Sequence, residues 1–421
     1  MDLIIHAARL EGADYLLDIG ITNGLIEAIS HTITADAPRL DAAGGLLLPG
    51  LVETHFHLDK TCILDRCHAA DGSVAEAIRL TSAAKRTFTP QDIHARGSRV
   101  LDRAIGWGTT RMRTHVEVDP GIGMRGFDGV TQLVHDYAWA MDIEICVFPQ
   151  EGLLNNPGTE SLLIEGLRRG ARVLGAAPYI DTDPRGQIDR VFEIARDWNV
   201  DIDMHLDMGD TTEGMQAEYV CRKTDEFGWG GRVAIGHCTQ MSFLDPARFA
   251  AVATSLAGAG VAVTVLPSTD LYLTGRSHSH AIPRGLAAAH RLRAHGVTCS
   301  LATNNVMNPF TPYGDANLLR MANLYANVAQ LGRPADLVSC VAMVTSDAAK
   351  LMRLPDYGIA VGAPADLVLF DTARAQDAVA ELAQPLWGMK RGRMSFTRAR
   401  PALHCPERAD GEAFRPATPA Q

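Results

Sequence analysis

From residue 46 to about residue 305 the chain repeats one unit: a short apolar run rich in β-formers, a polar or Gly/Pro break, then a stretch polar on one side and apolar on the other. The strand-like runs are Leu46 to His57, Thr110 to Val118, Ile143 to Pro149, Val173 to Pro178, Asp201 to Asp207, Arg232 to Cys238, Val261 to Pro267 and Val297 to Asn304, eight in all. Helix-like segments such as Pro90 to Ile105, Ser161 to Arg169, Asp183 to Trp198, Asp245 to Gly258 and Pro283 to Ala294 lie between them. Eight strand-helix units in succession predict an α/β fold, a (β/α)8 TIM barrel.

Outside that region the pattern changes to short alternating strands. Asp2 to Ala7, Tyr15 to Ile21 and Leu25 to Ile29 surround a Thr22-Asn23-Gly24 turn, and strand character returns in Ala365 to Phe370 and in Met389 to Phe396 around Arg391-Gly392. These segments are expected to form one small β-sandwich domain. Residues 1–48 are its N-terminal part, 49–354 the barrel, and 355–421 its C-terminal part, ending in a Pro-, Ala- and charge-rich tail from Ala399. The longest uncharged stretch, Phe249 to Thr269, is divided by Gly258-Ala259-Gly260 and reads as helix, turn and strand, not as a membrane span.

Composition narrows the partners. Of 421 residues 47% are hydrophobic and 21% charged, enough for a large core, and the net charge of -10 is spread along the chain. No basic patch is present to bind nucleic acid or an anionic membrane, so small molecules are the expected partners. The eight cysteines are scattered without a Cys-x-x-Cys pair, and the N-terminus lacks the basic segment and apolar run of a secretory signal. Reduced thiols in the cytoplasm are the expectation.

Barrels keep their chemistry at the C-terminal ends of the strands. Here those ends carry His55 and His57, His115 and Glu117, Gln150 and Glu151, His205 and Asp207, His237, and Asn304 with Asn305. Side chains alternate along a strand, so His55 and His57 project to one face at a spacing that holds a single metal ion. One such pair is commonplace at a strand end, whereas polar residues at the ends of six strands make a site. A second pair, His278 and His280, lies in a polar loop with no convergent carboxylate and is read as a substrate-side loop.

These residues carry a resemblance. Val52-Glu53-Thr54-His55-Phe56-His57-Leu58-Asp59, Arg113-Thr114-His115-Val116-Glu117, Phe148-Pro149-Gln150-Glu151-Gly152, His205, Gly236-His237 and Pro355-Asp356-Tyr357-Gly358 are similar to motifs of the amidohydrolase superfamily, in the branch of cytosine deaminase and N-isopropylammelide amidohydrolase. The resemblance implies a metal-dependent amidohydrolase cleaving a C–N bond of a small N-heterocycle, cyclic amide or amidine. One divalent ion per chain, zinc or iron, would be held by His55, His57 and His205 with the eighth-strand position of Asn304. Gln150 would bind the substrate's amide-like edge, His237 would stand beside the activated water, and Lys60, shared with the triazine branch, would contact a carbonyl or leaving group. Homo-oligomerisation is implied by the resemblance alone.

Two departures stand out. The family's proton-shuttling glutamate after the fifth-strand histidine is Met208 here, and the eighth-strand carboxylates are Asn304 and Asn305. Neither a thioether nor an amide is a useful base at neutral pH. Asp207, two residues from His205, and His237 are the candidate replacements, with Lys60 as a further catalytic candidate. Met208, Asn304 and Asn305 then remain as substrate contacts. The alternatives are a non-hydrolytic lyase or isomerase, or a catalytically silent ligand-binding member on the same barrel.

Overall fold

The structure is a computed structural model that describes residues 1–404. Eight parallel strands run in sequence order: Leu51–Phe56, Thr109–Glu117, Asp142–Phe148, Val173–Ala176, Asp201–Leu206, Val233–His237, Val261–Val265 and Cys299–Leu301. The seam between the last and the first is drawn together by the Asn304 N–H donating to the His55 carbonyl and the His57 N–H donating to the Asn304 carbonyl, both 3.0 Å. The Thr54 and Ser300 hydroxyls add a contact of 2.8 Å. The barrel therefore closes beside the histidine pair.

The helices between the strands have the physical signatures of their ends. Pro90–Gly106, Pro184–Trp198 and Pro246–Ala259 each start on proline, after Thr89, Asp183 and Asp245 whose side chains accept the first free N–H groups. Gly260 then ends the last of these in the left-handed region and the chain turns into Val261–Val265, as the pattern over 249–269 predicts. The helix expected over Pro283 to Ala294 is a correction: only Ala289–Ala294 is helical, because Pro283 and Gly285, at φ +63°, interrupt the start.

The terminal segments form two four-stranded sheets. One holds Leu3–Ala8, Leu17–Thr22, Leu25–Ser30 and Arg39–Asp41; the other holds Leu46–Pro49, Leu367–Phe370, Pro385–Lys390 and Arg393–Thr397. Ile5, Ile19 and Ile21 of the first pack on Leu47, Leu367, Leu369, Trp387 and Met389 of the second. Both hairpins turn on a pair of residues with positive φ, Asn23-Gly24 and Arg391-Gly392, the geometry that matches the strands' twist. Buried Lys390 binds this sandwich to the barrel, its Nζ donating to Asp366 at 2.7 Å, to Asp142 at 2.9 Å and to the Thr110 carbonyl at 3.1 Å.

The single strand expected over Leu46 to His57 is divided at Gly50, the first part belonging to the sandwich and the second to the barrel. A Cβ on Gly50 would lie 2.2 Å from Thr110 Oγ1, a buried β-branched side chain with little room to move. Gly50→Ala is expected to cost about 1–3 kcal/mol, read as a lowered denaturant midpoint. An unchanged midpoint would show that the crossover is loosely packed.

No helix among the described residues is long and apolar enough to cross a membrane. Seven cysteines are free, and Cys405 and the tail from 405 to 421 lie outside the described residues.

Candidate metal centre and active site

The barrel interior is filled by inward-facing residues at alternate positions of the strands, in layers. In the layer beneath the histidines, Arg113 Nη1 donates to Asp203 Oδ2 at 2.9 Å and Arg113 Nε to Glu144 at 2.8 Å. Burial would raise the Asp203 carboxyl, but the His115 and His55 rings and Arg113 hold it well below the usual carboxylate range. Its second oxygen faces His115 Nε2 at 3.5 Å and His55 Nδ1 at 3.7 Å, two rings stacked with centroids 3.8 Å apart. A carboxylate on that side favours hydrogen on the near nitrogen of each ring and a lone pair on the far one.

That lone pair enters a cluster. His55 Nε2 and His57 Nε2 each lie 3.1 Å from His205 Nε2, and all three residues are buried. Burial lowers all three, His55 to about 3 and the other two well below their ordinary value, and is followed by repulsion from His115 at His55, from Lys60 at His57 and from His55 at His205. Neutral rings with convergent nitrogens are the state a metal requires. Nitrogens around a tetrahedral zinc stand about 3.4 Å apart, so the spacing fits a divalent ion. Asn304 joins the cluster's rim through its backbone, and its Oδ1 is buried without a partner.

His237 faces this cluster from the sixth strand, its ring centroid 5.5 Å from His205 and 6.0 Å from His55. Its Nδ1 lies 2.6 Å from Asp270 Oδ1, and Asp270 also accepts the Leu266 N–H at 3.1 Å. Burial lifts the Asp270 carboxyl above its usual range in spite of the imidazole. The dyad leaves the other ring nitrogen of His237 unused.

Lys60 lies in a buried charge network. Its Nζ donates to Glu117 Oε1 at 2.7 Å and to Gln150 Oε1 at 3.0 Å, and it lies 4.6 Å from the centroid of Phe310. Glu117 is shared with Lys85, whose Nζ reaches it at 3.0 Å and reaches Asp119 and Glu151 at 2.5 Å each. Burial would raise Glu117, but the two ammonium groups outweigh it and hold the carboxyl at about 2. Phe148, on whose strand end Gln150 follows, stacks on His205 at 4.7 Å. Asn305 Oδ1 accepts from Asn308 Nδ2 at 2.6 Å, and Met208 packs with Leu273 and Phe310 in an apolar roof.

Asp207 is a correction. Its oxygens accept the N–H groups of Gln216 at 2.7 Å and Ala217 at 3.0 Å, so it caps the helix Ala217–Phe227. Asp207 sits at φ +49°, which breaks the strand alternation that would have aimed it beside His205. His278 and His280 are exposed and belong to neither group of metal-capable residues among the described ones. Asp203, Lys85 and Asn308 were not singled out from sequence. A charged residue between Ile202 and Met204 in a barrel strand was a legible signal for Asp203; nothing local marks Lys85 or Asn308.

The fold is shared with enzymes of known activity. A chain of 5-methylcytosine deaminase from Klebsiella pneumoniae, liganded with 5-fluorocytosine, superposes with a TM-score of 0.92 at 27% identity, covering 96% of this chain and 99% of that one. N-isopropylammelide isopropylaminohydrolase from Burkholderia multivorans gives a TM-score of 0.83 at 30% identity over 94% of this chain and 98% of its own. Pterin deaminase from Rhizobium rhizogenes is 29% identical over 366 residues, 85% of this chain and 82% of that protein. The amidohydrolase family model matches residues 134–394, more than half of the polypeptide, and this chain belongs to the amidohydrolase family.

Proposed function

We propose that the protein hydrolyses a C–N bond of a small N-heterocycle or cyclic amide, with His55, His57 and His205 holding one divalent ion and with proton transfer moved to His237. Membership of a family of C–N hydrolases sets the reaction class. The observation that carries the rest is the convergence of three buried, neutral imidazoles at 3.1 Å. A divalent ion there supplies Lewis acidity and makes water acidic near neutral pH.

The chain's own residues do the remaining work. Gln150 and Lys60 bind and orient the polar edge of the ring, while Phe148, Phe310 and Met208 exclude bulk water. His237, its Nδ1 hydrogen committed to Asp270, takes the proton of the attacking water on Nε2 and returns it to the departing nitrogen. Asp270 is thus a positioning residue, and Asp207, spent on a helix end, takes no part. Seven free cysteines are in keeping with a reducing, cytoplasmic setting, and a homo-oligomer remains part of the proposal through the family alone.

Elemental analysis of the purified protein, with a panel of amino-heterocycles and cyclic amides assayed before and after chelation, tests this reading. About one ion per chain and turnover that stops on chelation and returns with metal are expected. Turnover that survives exhaustive chelation would favour a lyase or isomerase, and a loaded protein that binds rings and alters none would favour a silent binding member.

A further inference from the structure

We infer that the substrate is an oxo-substituted ring, a cyclic amide or imide, and not an amino-substituted one. The inference rests on the hydrolase reading above and narrows it to a substrate class. It follows from which hydrogen-bonding groups the protein has already used up.

The donors are free and their orientation is forced. Gln150 turns Oε1 to the Lys60 ammonium at 3.0 Å, since the reverse orientation would set an NH2 against a cation, and its buried Nε2 makes no close hydrogen bond, the Tyr179 hydroxyl being its neighbour. Asn308 Oδ1 accepts the backbone N–H groups of Phe310 and Thr311, at 3.0 and 3.1 Å, and those groups can only donate. Asn308 must then donate from Nδ2 to Asn305 Oδ1, which leaves Asn305 Nδ2 unbonded to the described residues. Lys60 itself has one N–H beyond its bonds to Glu117 and Gln150.

Most of the charged acceptors are spent. Glu117 is held by Lys60 and Lys85, Asp270 by His237 and the Leu266 N–H, Glu53 by the Thr303 and His55 N–H groups, and Asp207 by a helix end. Asp59 gives Oδ2 to the Glu117 N–H at 2.8 Å and keeps Oδ1 unpaired among Lys60, Arg96 and Glu117. Beside the imidazoles, the Asn304 Oδ1 amide oxygen and the Thr303 hydroxyl are the neutral acceptors left without a partner. Three unused donors against two neutral acceptors beside the cluster match a ring N–H flanked by carbonyls better than a ring edged with amines. An exocyclic amine would set hydrogen against hydrogen, and Met208 has no lone pair of consequence to receive it.

A ring without an exocyclic amine offers only its own C–N bond. Water oxygen adds to the ring carbonyl carbon, the bond from that carbon to the ring nitrogen breaks, and the nitrogen takes a proton from the water. The product is an open chain with a carboxylate and, from an imide, an amide or, from a cyclic amide, an amine, and no ammonia is released.

The triazines melamine, ammeline, ammelide and cyanuric acid replace amino by oxo one position at a time on one ring. Calorimetric binding of each to the metal-loaded protein is expected to tighten along that series, by about 10-fold or more from end to end. Affinity that is flat, reversed or undetectable across the series overturns the inference. Gln150→Glu, which exchanges the free donor for an acceptor, is expected to weaken cyanuric acid by about 10-fold while sparing melamine; the wild-type series decides the matter if that variant does not fold. Because binding is read without turnover, the two readings fail separately. The expected order with no C–N cleavage of any ring sinks only the hydrolase, and hydrolysis of amino-rings that bind better than oxo-rings sinks only this inference.

Discussion

His205→Ala is expected to empty the metal centre and abolish turnover together. His205 Nε2 is the nitrogen that both His55 and His57 approach at 3.1 Å, so its removal leaves two donors on one strand and opens the far side of the site. Loss of an outer partner of a ligand typically costs about 10- to 100-fold in metal affinity, and loss of the ligand itself should exceed that. The check is metal content after dialysis against a weak chelator, with His278→Ala as control, since His278 is exposed on a loop. Full stoichiometry in His205→Ala would refute the ligand set, whatever happened to activity.

Asp270→Asn should separate metal from chemistry. In the wild-type chain the carboxylate accepts from His237 Nδ1 at 2.6 Å, which leaves Nε2 with its lone pair toward the cluster. An asparagine can donate to Nδ1 instead, selecting the tautomer in which Nε2 carries the hydrogen and can accept no proton. Where a carboxylate orients a catalytic imidazole in this way, the amide costs about 10^4-fold in kcat. We expect a fall of about 10^2- to 10^4-fold at unchanged metal content, a changed 15N signature of one imidazole, and partial recovery in Asp270→Glu. A kcat within a few-fold of wild type would remove His237 from proton transfer. A loss of metal alongside activity would show that Asp270 supports the fold of the centre and not the tautomer.

Much of this site was legible in the one-dimensional pattern, and particular residues show where legibility ended. His55 and His57 could be placed on one face because strand alternation is local. Asp207 was misplaced by the same rule, since the alternation stops where its backbone takes φ +49° and sends the carboxylate to the helix at Ala217. Asp270 lies on the short helix Pro267–Leu273, and its role depends on a partner 33 residues away at the end of a barrel strand. Lys85 lies on a helix whose face gives no sign that Glu117, Asp119 and Glu151 wait beneath it.

The periodicity of apolar runs and the turn pairs Asn23-Gly24 and Arg391-Gly392 were enough for the barrel and most of its accompanying strands, the short strand Arg39–Asp41 excepted. Each is a property of neighbours along the chain, governed by backbone sterics and by which face meets water. Which carboxylates remain free for a ligand was beyond any such reading. Glu117, Asp207 and Asp270 are chemically alike in the sequence, and only burial beside Lys60, a helix end or His237 makes one a counter-ion, one a cap and one a positioning group. Burial makes an unpaired charge costly, so each carboxylate's role is settled by the partner that folding brings to it from far along the chain.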